Sequence, residues 1–208
     1  MTKKGRFIVF EGIDGSGKST QAELLAKRLK ESGAFIYQTR EPSDSEAGRL
    51  IRRILKGEVK TPNQAIAALF VADRLDHLLN EENGLKKIVD SGTSVICDRY
   101  YFSSYAYHSV DMDMQWVIGA NSVCAEILKP DCTIFIDVSP KAAMERIASG
   151  RESTELFETL ERLTLVRDNY FKAFSHLKGE ENIIIVNGER PADEIADEIR
   201  QNTAHFFE

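Results

Sequence analysis

The residue types best suited to chemistry lie in one segment near the start of the chain. Residues 12–19 read GIDGSGKS, which matches the pattern GxxxxGK followed by Ser or Thr without a mismatch. Glycines let backbone N–H groups approach phosphate oxygens, and the helix that follows adds the positive end of its dipole. Lys18 can reach the β- and γ-phosphates, and the Ser19 hydroxyl can ligate Mg²⁺. The sequence therefore predicts a nucleotide-phosphate loop formed by Gly12, Ile13, Asp14, Gly15, Ser16, Gly17, Lys18, Ser19 and Thr20.

A phosphate loop identifies a nucleotide ligand but leaves the reaction open. Phosphoryl transfer to a small acceptor, a GTPase switch and a motor or assembly ATPase all use it. The Asn-Lys-x-Asp string that a GTPase uses to recognise guanine is absent, and the apolar run 133–138 ends in Asp137-Val138 rather than Asp-Glu. The transfer reaction is the favoured hypothesis, with a switch or binding module as the alternative.

Cationic side chains follow two of the predicted strands, where ligands gather in a parallel sheet. Arg40 lies in the segment TREP, and Arg99 follows Asp98 directly after an apolar run. A structural ion pair between Asp98 and Arg99 is the alternative to a phosphate site. Polar and aromatic side chains then follow at helical spacing: Ser103, Ser104, Tyr107 and His108.

A second candidate group lies between these segments. Phe70 and Arg74 are four residues apart and share a helix face, so the ring could stack on a base while the guanidinium donates to a base carbonyl. A core Phe beside a surface Arg is the alternative. Further along, Arg146 and Arg151 flank Ala148-Ser149-Gly150, which would suit a mobile lid carrying cations or a solvated loop.

Short apolar runs alternate with helical patterns along the chain. The runs are continuous, as expected for parallel strands covered on both faces; they comprise residues 7–10, 34–37, 94–97, 133–138 and 183–186. Alternation of strand and helix is typical of layered α/β proteins. We therefore predict an α/β fold, a three-layer α/β/α sandwich around a five-stranded parallel sheet, with residues 1–208 forming a single domain.

Composition narrows the class of protein. The net charge of −6 argues against a polyanion binder, so we expect no nucleic-acid partner. We expect no membrane partner, because no apolar stretch approaches the roughly 18 residues that span a bilayer. The three cysteines lack CxxC spacing, so neither zinc nor a disulfide framework is expected. The basic N-terminus precedes an apolar run too short for a signal peptide, and a cytoplasmic enzyme fits these features.

Taken together, the motifs resemble those of the thymidylate kinase family. GIDGSGKS, TREP, LFVADR, DRYYFSSYAYH and KPDCTIFIDV occur in that family's order, and the resemblance covers residues 7 to about 170. It implies a P-loop kinase with a short lid at about 146–157, which transfers the γ-phosphoryl group of ATP to dTMP with Mg²⁺. It also implies a homodimer. Other acceptors, namely dUMP, UMP or CMP, or a deoxynucleoside, remain alternatives on the same fold.

The resemblance implies roles for the acceptor-side residues. Phe70 would stack on thymine and Arg74 would hydrogen-bond its O4, while Arg40 and Arg99 would hold the acceptor phosphate. Asp14 would approach the 3′-hydroxyl of the sugar. The remaining acceptor-side residues in this comparison are Ser103, Tyr107, placed where a 2′-hydroxyl would project, and His108, which stands where many members have Gln.

The resemblance also implies how charge is neutralised during transfer. Some members carry an arginine within the phosphate loop, whereas this chain has Asp14-Gly15-Ser16 there. It therefore resembles the type that relies on its lid, with Arg151 supplying the cation. Arg146 is the second candidate for this cation, or would instead lie on the preceding helix and bind the phosphates of ATP. Asp98 would organise Mg²⁺ together with Ser19. The residues expected to act in catalysis are then Lys18, Asp98, Arg99 and Arg151.

Overall fold

The computed structural model describes residues 4–150 and 159–207. Within these ranges five strands form one parallel sheet in the order β2-β3-β1-β4-β5. Its members are β1 (Phe7–Glu11), β2 (Ile36–Arg40), β3 (Ser94–Asp98), β4 (Cys132–Asp137) and β5 (Ile183–Asn187). The predicted α/β class and the five-stranded parallel sheet are confirmed.

Helices cover both faces of this sheet. In chain order they are α1 (Lys18–Glu31), α2 (Glu46–Leu55), α3 (Asn63–Leu79), α4 (Leu85–Asp90), α5 (Tyr101–His108), α6 (Met114–Ile127), α7 (Pro140–Gly150), α8 (Leu160–His176) and α9 (Ala192–Thr203), followed by a 3₁₀ turn at Ala204–Phe206. None of the helices within the described ranges is long and apolar enough to cross a membrane.

Two hydrophobic cores lie on the two faces, because successive strand residues point to opposite sides. Ile8 and Phe10 of β1 pack with α1 and α9 on one face. Phe7 and Val9 pack with residues of α3 to α8 on the other. The sandwich therefore has the three predicted layers.

The edge strands differ from the prediction of strands covered on both faces. β1 and β4 are buried almost throughout, whereas β2 and β5 are largely half-buried or exposed because each has a neighbour on one side only. β2 also begins and ends later than predicted, since its pairing aligns Ile36 with Ser94 and Arg40 with Asp98. Arg40 is therefore the last strand residue, directly beside Asp98.

Candidate active site

The phosphate loop connects β1 to α1 at the carboxyl edge of the sheet. Gly17 has φ +89° and directly precedes the first helical residue, Lys18. Gly15 has φ +77°, and a Cβ there would lie 2.5 Å from the backbone oxygen of Ala143 in α7. Both positions need glycine, because a side chain would be strained at these φ values and would clash at Gly15. The loop is thereby held between α1 and α7.

Lys18 is buried at the base of this loop. Its Nζ lies 3.4 Å from the backbone oxygen of Ile13 and 3.8 Å from Asp14 Oδ1. Burial lowers the pKa of Lys18, and the nearby Arg99 adds to this, while neighbouring carboxylates oppose it. A desolvated ammonium with few fixed partners is suited to binding an anionic phosphate.

A hydroxyl and a carboxylate meet at the start of α1. Ser19 Oγ donates a hydrogen bond to Asp98 Oδ2, and Asp98 Oδ1 is buried without a hydrogen-bond partner among the described residues. No group of three or more His, Cys, Asp or Glu side chains in the described part of the chain could hold a metal. Magnesium nevertheless fits this pair, because it is usually held by one or two protein oxygens together with water and substrate phosphates.

Arg99 adopts a strained backbone beside the loop. Its φ is +73°, which is uncommon for a residue with a side chain and costs of order 1–3 kcal/mol. The backbone N–H donates to the Phe10 oxygen at 2.8 Å. The guanidinium forms an ion pair with Asp14, donates to Ser103 Oγ at 2.9 Å and lies over the Tyr107 ring. The strain directs a cation into the cavity next to the phosphate loop.

Glu11 fixes this turn and was not among the predicted site residues. Its fully buried carboxylate accepts hydrogen bonds from the N–H groups of Tyr100 and Ser103 at 2.9 and 3.1 Å. It also accepts from the hydroxyls of Ser103 at 2.5 Å and Tyr170 at 2.9 Å. Burial raises the pKa of Glu11, while Ser103 and Arg99 lower it. An acidic residue ending an apolar strand was the sequence signal that could have identified it.

One cavity of about 370 Å³ joins these groups to the acceptor-side residues. Ten predicted residues line it: Asp14, Lys18, Ser19, Arg40, Phe70, Asp98, Arg99, Ser103, Tyr107 and His108. Five lining residues were not assigned to the site from the sequence: Glu41, Pro42, Arg52, Leu55 and Ser104. The phosphate loop and the Phe70 side chain therefore lie on a continuous surface.

The end of the cavity away from the phosphate loop is aromatic. The Phe70 and His108 rings meet edge to face, with centroids 5.1 Å apart and an interplanar angle of 60°. Burial lowers the pKa of His108 to about 4, with the charges of Arg74 and Arg162 acting in the same direction and Asp111 opposing them. His108 is therefore neutral at physiological pH. A flat apolar ring beside a neutral donor or acceptor suits a nucleobase.

Arg74 lies behind the cavity wall and does not line it. Its guanidinium contacts Glu41 and Ser104, which do line the cavity, and Asn121, which does not. The predicted partnership of Phe70 and Arg74 on one helix face is present in α3, but only Phe70 reaches the cavity surface.

The predicted phosphate-holding Arg40 is mostly exposed. Its guanidinium lies 3.8 Å from Asp44, and β2 places the residue beside Asp98. Arg52 of α2 was missed; it donates to the backbone oxygens of Pro42 and Ser43 at 2.8 and 2.7 Å. Arg52 therefore holds the loop that follows Arg40.

Arg146 lies within α7 rather than in a loop. It donates to the backbone oxygens of Ser16 at 3.3 Å and Gly188 at 2.9 Å, and so connects the phosphate loop to the segment between β5 and α9. The predicted lid thus begins within α7, which ends at Gly150, while Arg151 and residues 152–157 lie outside the described residues.

Known proteins resemble this chain over most of its length. The family model described as thymidylate kinase matches residues 10–199. A probable thymidylate kinase from Pyrococcus horikoshii is 42% identical over 179 residues, covering 81% of this chain and 82% of the relative. One from Methanocaldococcus jannaschii is 39% identical over 197 residues, covering 93% of each. A thymidylate kinase from Leptospira borgpetersenii is 35% identical over 196 residues, covering 94% of this chain and 92% of the relative.

Proposed function

We propose that this chain, which belongs to the thymidylate kinase family, transfers the γ-phosphoryl group of ATP to dTMP and yields dTDP and ADP. The observation that carries the proposal is the continuous cavity from the phosphate loop to the Phe70 and His108 rings. A donor phosphate at one end and a nucleobase at the other would place an acceptor phosphate between them, beside Arg99.

On the donor side, backbone N–H groups of the phosphate loop and Lys18 would bind the β- and γ-phosphates. Arg146 would contribute a further cation to phosphate binding, at the point where α7 meets the phosphate loop and the segment between β5 and α9. We propose Ser19 and Asp98 as the protein ligands of Mg²⁺, supported by the unpartnered buried oxygen of Asp98. When bound, Mg²⁺ would offset negative charge on the transferred group.

On the acceptor side, Arg99 and Arg40 would hold the acceptor phosphate. Asp14, hydrogen-bonded to the Tyr107 hydroxyl at 2.9 Å, would approach the deoxyribose. The base would stack on Phe70 beside His108, with Ser103 lining the cavity nearby. The acceptor phosphate is itself the nucleophile, so positioning and charge neutralisation suffice and no strong general base is needed.

Lid chemistry is part of the same proposal. The phosphate loop contains no arginine, and Lys18 binds both ground and transition states, so a further cation should meet the charge on the transferring group. We propose Arg151 for this role within one kinase domain of residues 1–208. Arg146 is the second candidate, because its contacts to the phosphate loop place it beside the donor.

We further propose a homodimer that assembles through α3 and α6. These helices pack side by side and carry exposed apolar residues: Leu79 is 54% exposed on α3, and Trp116 and Val123 are 48% and 51% exposed on α6. Burying such a surface between two copies would be favourable. Light scattering at micromolar concentration should give twice the chain mass, and a clean monomer would contradict the proposal.

The cytoplasm is the compartment we propose, since the three cysteines are free and buried.

A coupled assay of ADP release across dTMP, dUMP, UMP, CMP, GMP and AMP tests the proposed acceptor. The expected result is the highest kcat/KM with dTMP. A strong preference for a ribonucleotide would overturn the acceptor assignment while leaving the kinase class intact. ATP hydrolysis that is independent of any acceptor would favour the alternative, a switch or binding module.

A further inference from the structure

A tyrosine hydroxyl from α8 reaches the turn that carries Arg99. Tyr170 is fully buried, and its ring packs against that of Phe135 in β4, with centroids 4.8 Å apart. Its hydroxyl lies 2.9 Å from Glu11 Oε2 and 2.9 Å from Ser103 Oγ. Burial raises the pKa of Tyr170 well above its usual range, and the charge of Glu11 adds to this. The hydroxyl therefore keeps its proton and acts as a donor.

The direction of the hydrogen bonds in this group is fixed at both ends. The guanidinium of Arg99 can only donate. The carboxylate of Glu11 already accepts the N–H groups of Tyr100 and Ser103 on Oε1, at 2.9 and 3.1 Å. Ser103 Oγ accepts from Arg99 Nη1 at 2.9 Å, so its single hydrogen is directed to Glu11 Oε2 at 2.5 Å. Tyr170 donates to the same Oε2. The hydrogen bonds therefore run from the guanidinium through one hydroxyl to a carboxylate that α8 also holds.

The Arg99 guanidinium, unlike the groups behind it, reaches the cavity. Its side chain is 16% exposed and lines the cavity beside the phosphate loop. Nη2 forms an ion pair with Asp14, while Nη1 is the atom that donates to Ser103. The direction of the cation is therefore set on one side by the phosphate loop and on the other by Ser103, which Glu11 and Tyr170 hold in place.

The backbone of the turn has support that does not involve Tyr170. The N–H of Arg99 donates to the Phe10 oxygen at 2.8 Å, and Glu11 Oε1 accepts the two backbone N–H groups that follow in the turn. The Tyr170 hydroxyl instead faces Glu11 Oε2 and Ser103 Oγ, which are the atoms that lead to the guanidinium. It is therefore placed to act on the Arg99 side chain rather than on the path of the backbone.

We propose that Tyr170 is a positioning residue for the acceptor phosphate: together with Glu11, its hydroxyl holds the Ser103 hydroxyl and thereby directs the Arg99 guanidinium into the cavity. The inference rests on the proposed function, because it requires an acceptor phosphate beside Arg99. A misplacement of about 1 Å can cost roughly 100-fold in rate. Since Asp14 and Glu11 would still hold the guanidinium without the hydroxyl, a smaller loss is expected.

The test compares the binding of dTMP with that of thymidine, which lacks the phosphate. The Tyr170→Phe variant removes only the hydroxyl. Isothermal titration calorimetry gives the two dissociation constants, and the ratio of thymidine to dTMP measures the contribution of the phosphate. We expect this ratio to fall roughly 10-fold in Tyr170→Phe, while the affinity for thymidine stays within about twofold of the wild-type value.

Tyr100→Phe is the matched control, because it removes another buried tyrosine hydroxyl from the same core. That hydroxyl donates to the backbone oxygens of Leu128 at 3.0 Å and Cys124 at 3.3 Å, away from the Glu11 carboxylate. The control should lower the thermal midpoint and keep the ratio of the two dissociation constants. If the ratio fell equally in Tyr100→Phe and Tyr170→Phe, general loosening of the core would explain it and the proposal would be wrong.

A double-mutant cycle tests whether Tyr170 acts through Arg99. Tyr170→Phe should lower the ratio in the wild-type background and leave it unchanged in the Arg99→Ala background. Ser103→Ala, which removes the connecting hydroxyl, should lower the ratio at least as much, and it serves as the test if Tyr170→Phe does not fold.

Three results would overturn the proposal: a ratio that stays at the wild-type value in these hydroxyl deletions, an equal loss of affinity for both ligands, or the same fall in both backgrounds of the cycle. A wild-type chain that binds dTMP no more tightly than thymidine would instead refute the placement of the acceptor phosphate in the proposed function.

Discussion

His108 should make the stability of this protein depend on pH between 4 and 6.5. The ring is buried against Phe70 in the cavity, and burial lowers its pKa to about 4, from an ordinary value of about 6.5. Between these values the unfolded chain binds a proton at this position and the folded chain does not. Stability therefore falls as the pH drops through 6.5 towards 4. The informative perturbation is His108→Gln, which removes the titrating group but keeps a polar side chain.

The size of the effect follows from the two pKa values. The full gap corresponds to about 3 kcal/mol of unfolding free energy, and about 2 kcal/mol of it is lost between pH 7 and pH 5. The charges of Arg74 and Arg162 raise the cost of protonating His108, while Asp111 reduces it. All other titrating groups are common to both proteins, so the difference between them isolates His108.

Urea unfolding followed by circular dichroism at pH 7 and pH 5 measures this difference. Between these pH values the wild-type protein should lose about 2 kcal/mol more than His108→Gln. His176→Gln, which alters an exposed histidine on α8, is the control and should behave as the wild type. Equal losses in the wild type and His108→Gln would refute the argument, because they would mean that burial does not keep the ring neutral.

Three other substitutions test separate parts of the site. Asp98→Asn should raise the Mg²⁺ concentration for half-maximal activity roughly 10- to 100-fold, and an unchanged Mg²⁺ titration would rule out its role as a ligand. Glu11→Gln should lower the unfolding free energy by about 1–3 kcal/mol, because an amide cannot accept all the N–H and O–H hydrogen bonds that the carboxylate accepts. A melting temperature equal to that of the wild type would contradict this expectation. Arg151→Ala should lower kcat by about 100-fold with little change in the KM for ATP. If steady-state kinetics show this loss in Arg146→Ala and not in Arg151→Ala, the cation that acts in transfer is Arg146, and the assignment to Arg151 is wrong.

Local sequence patterns predicted the parts of the site that depend on neighbours in the chain. The phosphate loop needs only its own glycines and the strand and helix that flank it. Asp98 and Arg99 could be placed because a buried strand must end at the ligand edge of a parallel sheet. Arg40 could be placed near the site for the same reason, although only the pairing of β2 with β3 shows that it lies beside Asp98.

Two of the acidic residues that were missed, Glu11 and Glu41, are defined by partners distant in the sequence. Glu11 meets Ser103, 92 positions away, and Glu41 meets Arg74, 33 positions away. No periodicity reveals such pairs, because the side chains meet only after the sheet has assembled. Arg74 was predicted to be a site residue from a local pattern alone. Because it shares a helix face with Phe70, it does lie near the cavity, but its buried partners hold it behind the cavity wall.

The edge strand β2 shows why the limits of a strand are harder to predict than its existence, although the other edge strand, β5, was predicted to within one residue. Phe35 belongs to the predicted run 34–37 but is 80% exposed and precedes β2. An edge strand is defined by hydrogen bonds to its one neighbour, and hydrophobicity carries little of that information. The central strands, buried on both faces, were predicted to within one residue at either end.

The proposed reaction is tested most directly by identifying the product that the purified chain makes from ATP, Mg²⁺ and dTMP. Phosphorus NMR should show dTDP and ADP accumulating in equal amounts, with no product from Lys18→Ala under the same conditions. Phosphate release in place of dTDP, or dTDP formation that persists in Lys18→Ala, would contradict the assignment of this cavity as the site of phosphoryl transfer.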